Sequence, residues 1–416
     1  MFKITLSTLL VNMFFCTLLF SQAGKVDSSG MKTLRIDPSS ARGAAASQIF
    51  DEVKFIPLET TKESLFGSIS QLRVTDDQYI VHDWETKSIL IFSKTGKYIA
   101  KINASKIQKD PNDKNSQNFY GFELVKGDAQ PLIQIWAGKN FLYFDMKGTF
   151  VRKAPSNKGE EYAGKKVFSD GTVVEQGYVD KKGKDSTFYS IGLVKDKKMV
   201  AGFFTYNLDS TKNDENWGGG GVFDYGIPDE FFYLKSYEYN LYKITPTKIS
   251  LSYHLIFPAV NSLPVDYAYN PKYRGKRSTF FEENRKVFYG MENPYLIGNN
   301  LYLKVSSFEF NRADKRAFIY NLKSTQVTSL SDIEPDSLSQ FLPINDASSH
   351  YDFYSRGFHT YDKGYFYTSY SSLAMFTYKQ QNESKNRSYD TLLTEYFKTQ
   401  NRRGNPVIIQ LKPKTN

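Results

Sequence analysis

The chain has 416 residues, of which 16% are aromatic and 24% are charged, and its formal net charge is +10 at pH 7. Aromatic residues favour half-buried, pleated surfaces and this charged fraction is ordinary for soluble domains, so the composition excludes a mostly disordered chain and a membrane-embedded body. A basic chain raises nucleic acid as a partner, but its lysines are spread through turns such as residues 94–97 and 181–184. We therefore expect no nucleic-acid binding, while attraction to anionic glycans or lipid headgroups stays open.

Residues 1–23 have the pattern of a secretory signal peptide. Lys3 gives a positive start, residues 4–20 are mostly apolar, and residues 21–23 supply small side chains at the cleavage site. The alternative is a membrane anchor, but the apolar run is shorter than the roughly 20 residues that a spanning helix needs. The sequence predicts an exported protein with no transmembrane span after cleavage, located in the periplasm, on the cell surface or in the medium.

The only cysteine of the chain, Cys16, lies inside this segment. Phe15 precedes it where a lipoprotein signal needs a small residue, and residues 18–20 continue the apolar run, so we expect no lipidation. A mature chain without cysteine excludes disulfides, thiolate metal sites and a cysteine nucleophile.

Residues 24–47 are rich in small and polar side chains, which predicts a flexible leader with an extended segment at residues 31–36. Residues 53–58 are apolar and β-prone. A strand there is placed to complete the last sheet of a closed ring, and closure removes open sheet edges. Residues 48–416 are predicted to form one domain.

Residues 77–101 contain alternating strand and turn patterns, and Gly96 supplies the positive φ that a tight hairpin needs. A second turn of the same type ends at Gly148, and this correspondence is the main evidence for a repeat. The predicted strands of the first two repeats are residues 69–74, 79–83, 88–93 and 98–102, then 119–125, 132–137, 140–145 and 149–152.

Four further repeats follow with longer interruptions. They are predicted at residues 166–206, 230–257, 295–330 and 341–378, and the last strand of the sixth repeat is predicted at 374–378. Two insertions interrupt them, at 209–226 and 261–285. A helix at 389–398 and a final strand at 407–411 follow. The sequence therefore predicts an all-β fold, a six-bladed β-propeller with long loop insertions and a short C-terminal helix. A two-sheet β-sandwich stays open for any one set of strands.

Four segments carry a resemblance to a known family: IFDEVKFIPLETTKESLFGSI at 49–69, KSILIFSKTGKYIAKI at 87–102, NLYKIT at 240–245 and NPVIIQLKPK at 405–414. The chain resembles the six-bladed β-propeller proteins of unknown function that Bacteroidetes export, which are distantly similar to NHL-repeat propellers. The resemblance implies a fold and an exported location, and it brings no agreed reaction.

Two departures from that family matter. Its members often carry a lipoprotein cysteine after the signal, which this chain lacks. Many also have a Gly-rich segment after the first blade, where this chain has the polar residues 103–118. If that segment forms a site in the relatives, this chain has lost or replaced it.

No catalytic motif stands out, because the chain has neither a nucleophile elbow nor a phosphate-binding glycine loop, and we expect no catalytic residue. The scarce histidines give two candidate ligand contacts. His82 lies in a strand before Asp83 and Trp84, and His359 lies near Arg356 at a strand start. Either group is as consistent with ordinary strand packing as with a ligand in the central channel.

Aromatic residues in the insertions give a further candidate surface. Trp217, Tyr225 and Tyr273 lie in these loops with Arg274 nearby, and exposed rings beside a guanidinium suit stacking on sugars or gripping a partner. The alternative is that the loops pack these rings, together with Tyr267, back onto the propeller.

These patterns predict a non-enzymatic binding or scaffold module for a glycan, a peptide or an envelope protein. The competing hypothesis is a metal-dependent lactonase or glycan hydrolase that uses carboxylates of the central channel, where oxygen ligands suit calcium or another divalent metal. No residue set in the sequence points to a metal site, so no cofactor is expected. The oligomeric state is not encoded in any motif.

Overall fold

The computed structural model describes residues 24–128, 130–156, 165–182, 185–211, 214, 220–309, 315–344 and 357–415. In chain order the strands are β1 (Lys32–Arg35), β2 (Arg42–Ala45), β3 (Phe50–Pro57), β4 (Gln71–Val74), β5 (Gln78–Asp83), β6 (Ser88–Ser93), β7 (Tyr98–Asn103), β8 (Phe119–Val125), β9 (Leu132–Ala137), β10 (Asn140–Phe144), β11 (Phe150–Pro155), β12 (Lys166–Val167), β13 (Val173–Lys182), β14 (Asp185–Lys195), β15 (Lys198–Tyr206), β16 (Gly221–Asp224), β17 (Phe231–Leu234), β18 (Asn240–Ile244), β19 (Ile249–Ile256), β20 (Gly290–Ile297), β21 (Asn300–Ser306), β22 (Ala317–Asn321), β23 (Val327–Glu334), β24 (Thr360–Asp362), β25 (Tyr365–Tyr370) and β26 (Val407–Pro413).

These strands form six separate sheets, each of which is one blade. Blades one to five contain β4–β7, β8–β11, β12–β15, β16–β19 and β20–β23, and blade six contains β24, β25, β26 and β3. Within each blade, neighbouring strands pair antiparallel. The prediction of an all-β, six-bladed β-propeller is therefore confirmed.

The hydrophobic core lies in layers between neighbouring blades. On β6, Ile89 and Ile91 face blade two, whereas Leu90 and Phe92 face blade six, and all four side chains are fully buried. Because both faces of the blade are covered, this strand is a continuous apolar run and does not alternate.

The two turns that suggested the repeat have the predicted geometry. Gly96 has φ of 81° and Gly148 has φ of 79°, which lie in the left-handed region that favours glycine. In each turn the glycine N–H donates to the carbonyl three residues earlier, Ser93 in blade one and Asp145 in blade two. The repeat was therefore correctly identified from its turn chemistry.

The N-terminal segment from β1 to β3, which we name the N-terminal belt, pairs with three blades. β1 runs parallel to β19 in blade four, β2 runs parallel to β23 in blade five, and β3 runs antiparallel to β26 in blade six. Residues 24–47, expected to form a flexible leader, thus contain two paired strands, and Ile36 is buried between blades four and five. The predicted closing strand is confirmed as β3.

Blade six differs from its predicted composition. Residues 374–378 were expected to form its last strand, but they lie within a helix that Ser371 caps by accepting a hydrogen bond from the Ala374 N–H at 3.1 Å. The strand positions that follow β25 are taken by β26, which pairs with β25, and by β3, which pairs with β26. The helix predicted near the C-terminus is present as Thr391–Thr399.

The described helices are short and lie outside the blades. They are Ala46–Ile49, Leu208–Thr211, Arg277–Glu283, Ser372–Gln381 and Thr391–Thr399, with single 3₁₀ turns at Pro38–Ser40, Ala104–Lys106, Ala259–Asn261, Pro271–Tyr273, Ser337–Ser339 and Glu383–Lys385. Among the described residues, none of these helices has the length and apolar character needed to cross a membrane.

We expect Phe55→Ala to lower the free energy of unfolding by about 3–5 kcal/mol. Phe55 lies on β3, is 2% exposed and packs between blades five and six, so its truncation leaves a cavity at the point of ring closure. Denaturant titration followed by tryptophan fluorescence measures the change. The control is Lys54→Ala on the same strand, whose exposed side chain should contribute about 0.5 kcal/mol or less. Equal losses for the two variants would contradict this account of β3.

Candidate functional site

The first strands of all six blades surround a central cavity of about 840 Å³, which we call the channel cavity. Its lining includes one or more residues from each of these strands: Arg73, Glu123, Lys166, Asp224, Tyr295, Thr360 and Asp362. Several of the charges are paired across blades. Arg73 Nε lies 2.7 Å from Glu123 Oε2, and Lys166 contacts Asp224. These ion pairs join blade one to blade two and blade three to blade four.

A second cavity of about 700 Å³, which we call the mouth, adjoins the channel cavity at His359, which lines both. Its other contributors come from blades one, two, five and six, and the lining consists of Ser68, Ser70, Gln71, His82, Trp84, Glu85, Tyr120, Glu292, Phe358 and His359. The sequence singled out His82 together with Trp84 and, separately, His359, and the structure brings these three residues together in one cavity.

Three exposed rings form a row that begins in the mouth and runs out across blade two. We call this row, Trp84, Tyr120 and Trp136, the aromatic shelf. The ring centroids are 6.3 Å apart for Trp84 and Tyr120 and 5.3 Å apart for Tyr120 and Trp136, and the three side chains are 54%, 40% and 41% exposed. The Trp136 indole N–H donates to the Gly138 carbonyl at 2.9 Å, which fixes that ring. Exposed, ordered aromatic rings of this kind mark binding surfaces.

Two buried polar atoms in the mouth have no hydrogen-bond partner among the described residues. His82 and Ser68 are each 3% exposed, yet His82 Nε2 and Ser68 Oγ are unpaired. The other His82 nitrogen donates to the Phe119 carbonyl, and burial lowers the pKa of the ring. His82 is therefore neutral at pH 7, and its Nε2 is a hydrogen-bond acceptor.

Asp83 has a different environment from its neighbour His82. It is fully buried, and its carboxylate accepts hydrogen bonds from the Gly67, Ser68 and Thr86 N–H groups and from the Thr86 hydroxyl at 2.6 Å. These contacts fix the turn that carries Trp84 and Glu85 into the mouth. Asp83 thus positions the mouth, and its predicted contact with a ligand stays a prediction.

The insertion residues do not form the expected exposed surface. Tyr225 is 1% exposed, its ring stacks on Phe232 with centroids 3.9 Å apart, and its hydroxyl donates to Glu230. The expectation that this ring is exposed is wrong, because residues 221–224 form a strand that carries it into the core. Trp217 and Arg356 lie outside the described residues.

The second insertion packs around a buried ion pair. Arg277 is 1% exposed, its Nη2 lies 2.8 Å from Asp214 Oδ2, and its guanidinium lies 4.8 Å from the centre of the Tyr267 ring. Tyr273 packs on Tyr267 with centroids 4.5 Å apart, and burial raises the pKa of Tyr267 to about 12. Tyr267 is buried, which agrees with the alternative that these loops pack their rings inward, while Tyr273 and Arg274 are half-buried.

The residues of the site that sequence reasoning missed include Ser68, Glu85, Tyr120, Trp136 and Glu292. The sequence contained one indication for Trp136, because the apolar Ile133 and Ile135 occupy alternate positions on β9. In the structure these two isoleucines are buried and Trp136 is exposed. Among the described residues, no group of three or more His, Asp or Glu side chains is arranged to hold a metal ion. The structure therefore offers no described cluster for the calcium that the hydrolase hypothesis invoked.

Comparison with known proteins identifies a family and a fold. Residues 33–412 match the model of a domain of unknown function, DUF4934. A solved structure from Bacteroides fragilis, of a protein whose name provisionally calls it exported, is 12% identical with a TM-score of 0.58, over 92% of this chain and 100% of that one. No curated protein sequence matches.

Two other solved structures are less similar. A DUF4221 family member from Bacteroides vulgatus is 12% identical with a TM-score of 0.39, over 88% of this chain and 99% of that one. A virginiamycin B lyase from Staphylococcus aureus is 11% identical with a TM-score of 0.28, over 66% and 87%. At these scores neither likeness bears on function.

We expect Arg277→Met to lower the free energy of unfolding by about 3–5 kcal/mol, because it leaves the buried Asp214 carboxylate without its partner. Thermal and denaturant unfolding measure the loss. Arg274→Met is the matched control, since it removes the same charge from a half-buried position three residues earlier, and it should cost less than about 1 kcal/mol. If Arg277→Met is as stable as the control, the ion pair does not hold the insertion.

Proposed function

The chain belongs to the DUF4934 family, and on that premise we propose that it is an exported, non-enzymatic binding propeller that holds a glycan in its mouth. One observation carries this proposal: two buried polar atoms, His82 Nε2 and Ser68 Oγ, are unpaired at the foot of an exposed aromatic shelf. A buried polar atom without a partner costs free energy. A ligand that supplies the missing partners recovers that cost on binding.

The chemistry of the mouth fits a polyhydroxylated ligand better than an apolar one. His82 Nε2 accepts a hydrogen bond, and the Ser68 hydroxyl both donates and accepts, so hydroxyl groups satisfy both atoms. Saccharide rings also present C–H faces, which pack on aromatic rings such as Trp84 and Tyr120. An apolar ligand would cover the shelf but leave both buried atoms unpaired. Among the ligand classes that the sequence allowed, a glycan offers both features in one ring, namely hydroxyls for the two buried atoms and a C–H face for the shelf.

Export of this propeller to the periplasm, the cell surface or the medium is part of the proposal. It is supported by the signal-like pattern of residues 1–23 and by the name of the Bacteroides fragilis protein with a similar fold. No described feature favours the metal-dependent hydrolase over the binding module, so the hydrolase is not carried further.

We expect Trp84→Ala to weaken glycan binding about tenfold, because it removes the more exposed of the two shelf rings that line the mouth. The measurement is binding of the purified protein to an oligosaccharide array, with affinities of positive spots taken by calorimetry. The melting temperature should stay nearly unchanged, since the side chain is 54% exposed. Phe150→Ala is the control, because this ring is also 54% exposed but lies on β11, the last strand of blade two. A Trp84→Ala variant that binds like the wild type would refute a glycan site at the mouth.

We expect binding to weaken on acidification. Burial lowers the pKa of folded His82 below its ordinary value of 6.5, so the ring is neutral above pH 6.5 and becomes protonated only below its lowered pKa. A protonated Nε2 donates and no longer accepts a ligand hydroxyl, so affinity should be constant above pH 6.5 and fall below the lowered pKa.

The lowered pKa of His82 also affects the stability of the fold, independently of any ligand. Below pH 6.5 the unfolded chain binds a proton at His82 that the folded chain resists, so the free energy of unfolding falls as the pH drops from 6.5 through the lowered pKa. His82→Gln keeps a polar side chain without titrating, and this component of both pH profiles should disappear in that variant. Profiles identical to the wild type would rule out His82 as their source.

A further inference from the structure

The aromatic shelf extends beyond the mouth. Trp84 and Tyr120 line the mouth, whereas Trp136 lies outside its lining. At the inner end, the His82 ring is 3% exposed, and its centroid lies 6.0 Å from that of Trp84. A continuous row of rings therefore leads from a buried position in the cavity to the protein surface, in the order His82, Trp84, Tyr120 and Trp136.

Local hydrogen bonds fix the two tryptophans at the ends of the shelf. Trp84 lies in the turn between β5 and β6, and its backbone N–H donates to the Ser70 hydroxyl at 3.2 Å. The Asp83 carboxylate accepts hydrogen bonds from the same turn. At the outer end, the Trp136 indole N–H donates to the Gly138 carbonyl. Both rings are therefore held in place before a ligand arrives, which lowers the entropic cost of binding.

A β-bulge in β8 turns the middle ring of the shelf outward. The ladder between β8 and β9 pairs Phe119 with Ala137. The next pair is Gly121 with Trp136, so Tyr120 is an extra residue with none opposite it. Phe119 is 1% exposed, whereas Tyr120 is 40% exposed. Bulges redirect side chains and are common beside binding sites, so the shelf depends on a local departure from the regular strand.

The geometry of the shelf suits a chain of linked rings better than one flat ligand. The Tyr120 ring plane is inclined by 47° to that of Trp84 and by 51° to that of Trp136. A rigid planar ligand can therefore lie flat on only one of them. Sugar units joined by rotatable glycosidic bonds can each present a C–H face to a different ring. The centroid separations of 5.3 and 6.3 Å are also comparable with the length of one sugar unit in a linear chain.

We propose that the mouth and the aromatic shelf bind a linear oligosaccharide by one of its ends. The terminal unit lies at the unpaired atoms of His82 and Ser68, and the following units lie along the shelf. The inference rests on the proposed function, because it names the class of glycan that the same site takes. Trp136 is then the residue that makes affinity depend on the length of the chain.

Two observations support binding of a chain end. His82 and Ser68 are each 3% exposed, so their unpaired atoms are reached by a unit that enters the cavity. Among the described residues that line the mouth, only Trp84 and Tyr120 are large, exposed hydrophobic side chains. The row of exposed rings therefore leaves the cavity on one side, towards Trp136, and a chain that follows it has its end inside the mouth.

The test uses ladders of linear gluco-, xylo-, manno- and galacto-oligosaccharides, each from the monosaccharide upward, with affinities taken by calorimetry. We expect wild-type affinity to rise with length and to level off once the shelf is covered. Trp136→Ala should lower the affinity of the longer members about three- to tenfold and leave that of the shortest bound member unchanged. Trp84→Ala should weaken every member, because its ring lies in the mouth.

Matched variants separate the effect of the ring from a change in the fold. Phe150→Ala removes an exposed ring of the same blade that is not part of the shelf, and its affinities should equal those of the wild type at every length. Trp136→Phe loses the indole N–H but keeps an aromatic ring, so it should retain most of the dependence on length. Melting temperatures of all variants are measured alongside. A Trp136→Ala variant that weakens short and long members equally would contradict the role assigned to this ring.

The orientation is tested by immobilising each ladder through one terminus or through the other. If the mouth takes a chain end, only the orientation that leaves that end free should give a signal that depends on Trp84. Equal signals from both orientations would overturn binding by an end.

The outcomes distinguish this inference from the proposed function. Binding that depends on Trp84 but is equally tight for a monosaccharide and its longer homologues, or that is confined to branched glycans, overturns the linear oligosaccharide and leaves glycan binding intact. A complete absence of binding that depends on Trp84, on the ladders and on the wider array, overturns the proposed function, and the inference falls with it.

Discussion

The pairing of β3 with β26 is the interaction on which the propeller depends. Seven residue pairs join the two strands, from Val407 with Pro57 to Pro413 with Phe50, and they connect the two ends of the chain within one blade. The side chains of β3 also serve both neighbouring layers, because Phe55 packs towards blade five and Ile56 packs towards blade one. Ring closure brings the first strands of the six blades around the channel cavity, and it sets blade six beside blade one, so that His359 and His82 reach the same mouth.

The remainder of the N-terminal belt protects sheet edges. An unpaired edge strand exposes a row of backbone N–H and carbonyl groups that can pair with another chain. β1 covers β19 and β2 covers β23, each in parallel register, so the outer edges of blades four and five are occupied. The belt also contributes Leu34 and Ile36 to the layer between those blades. A segment with the composition of a linker is therefore part of the folded ring.

The blades could be predicted from the sequence because their signals are local. The turn at Gly96 and the apolar run of β6 lie within a few residues of one another, and their geometry follows from backbone sterics and burial. The helix Ser372–Gln381 was not predicted, because its aromatic and apolar residues also suit a strand, and the choice depends on β3 arriving from the other end of the chain. The ion pair of Arg277 with Asp214 was missed for the same reason, since nothing local indicates that an arginine in a polar loop is buried.

The residues of the mouth could be predicted only in part from local sequence patterns. His82 and Asp83 were recognised together, but adjacent residues of a strand point to opposite faces, and their environments differ accordingly. The Asp83 carboxylate is satisfied by the turn that it fixes, whereas His82 keeps one nitrogen unpaired in a cavity. The difference between the two side chains therefore follows from the face of β5 that each one occupies, which the strand pattern predicts, and from the cavity on one of those faces, which it does not.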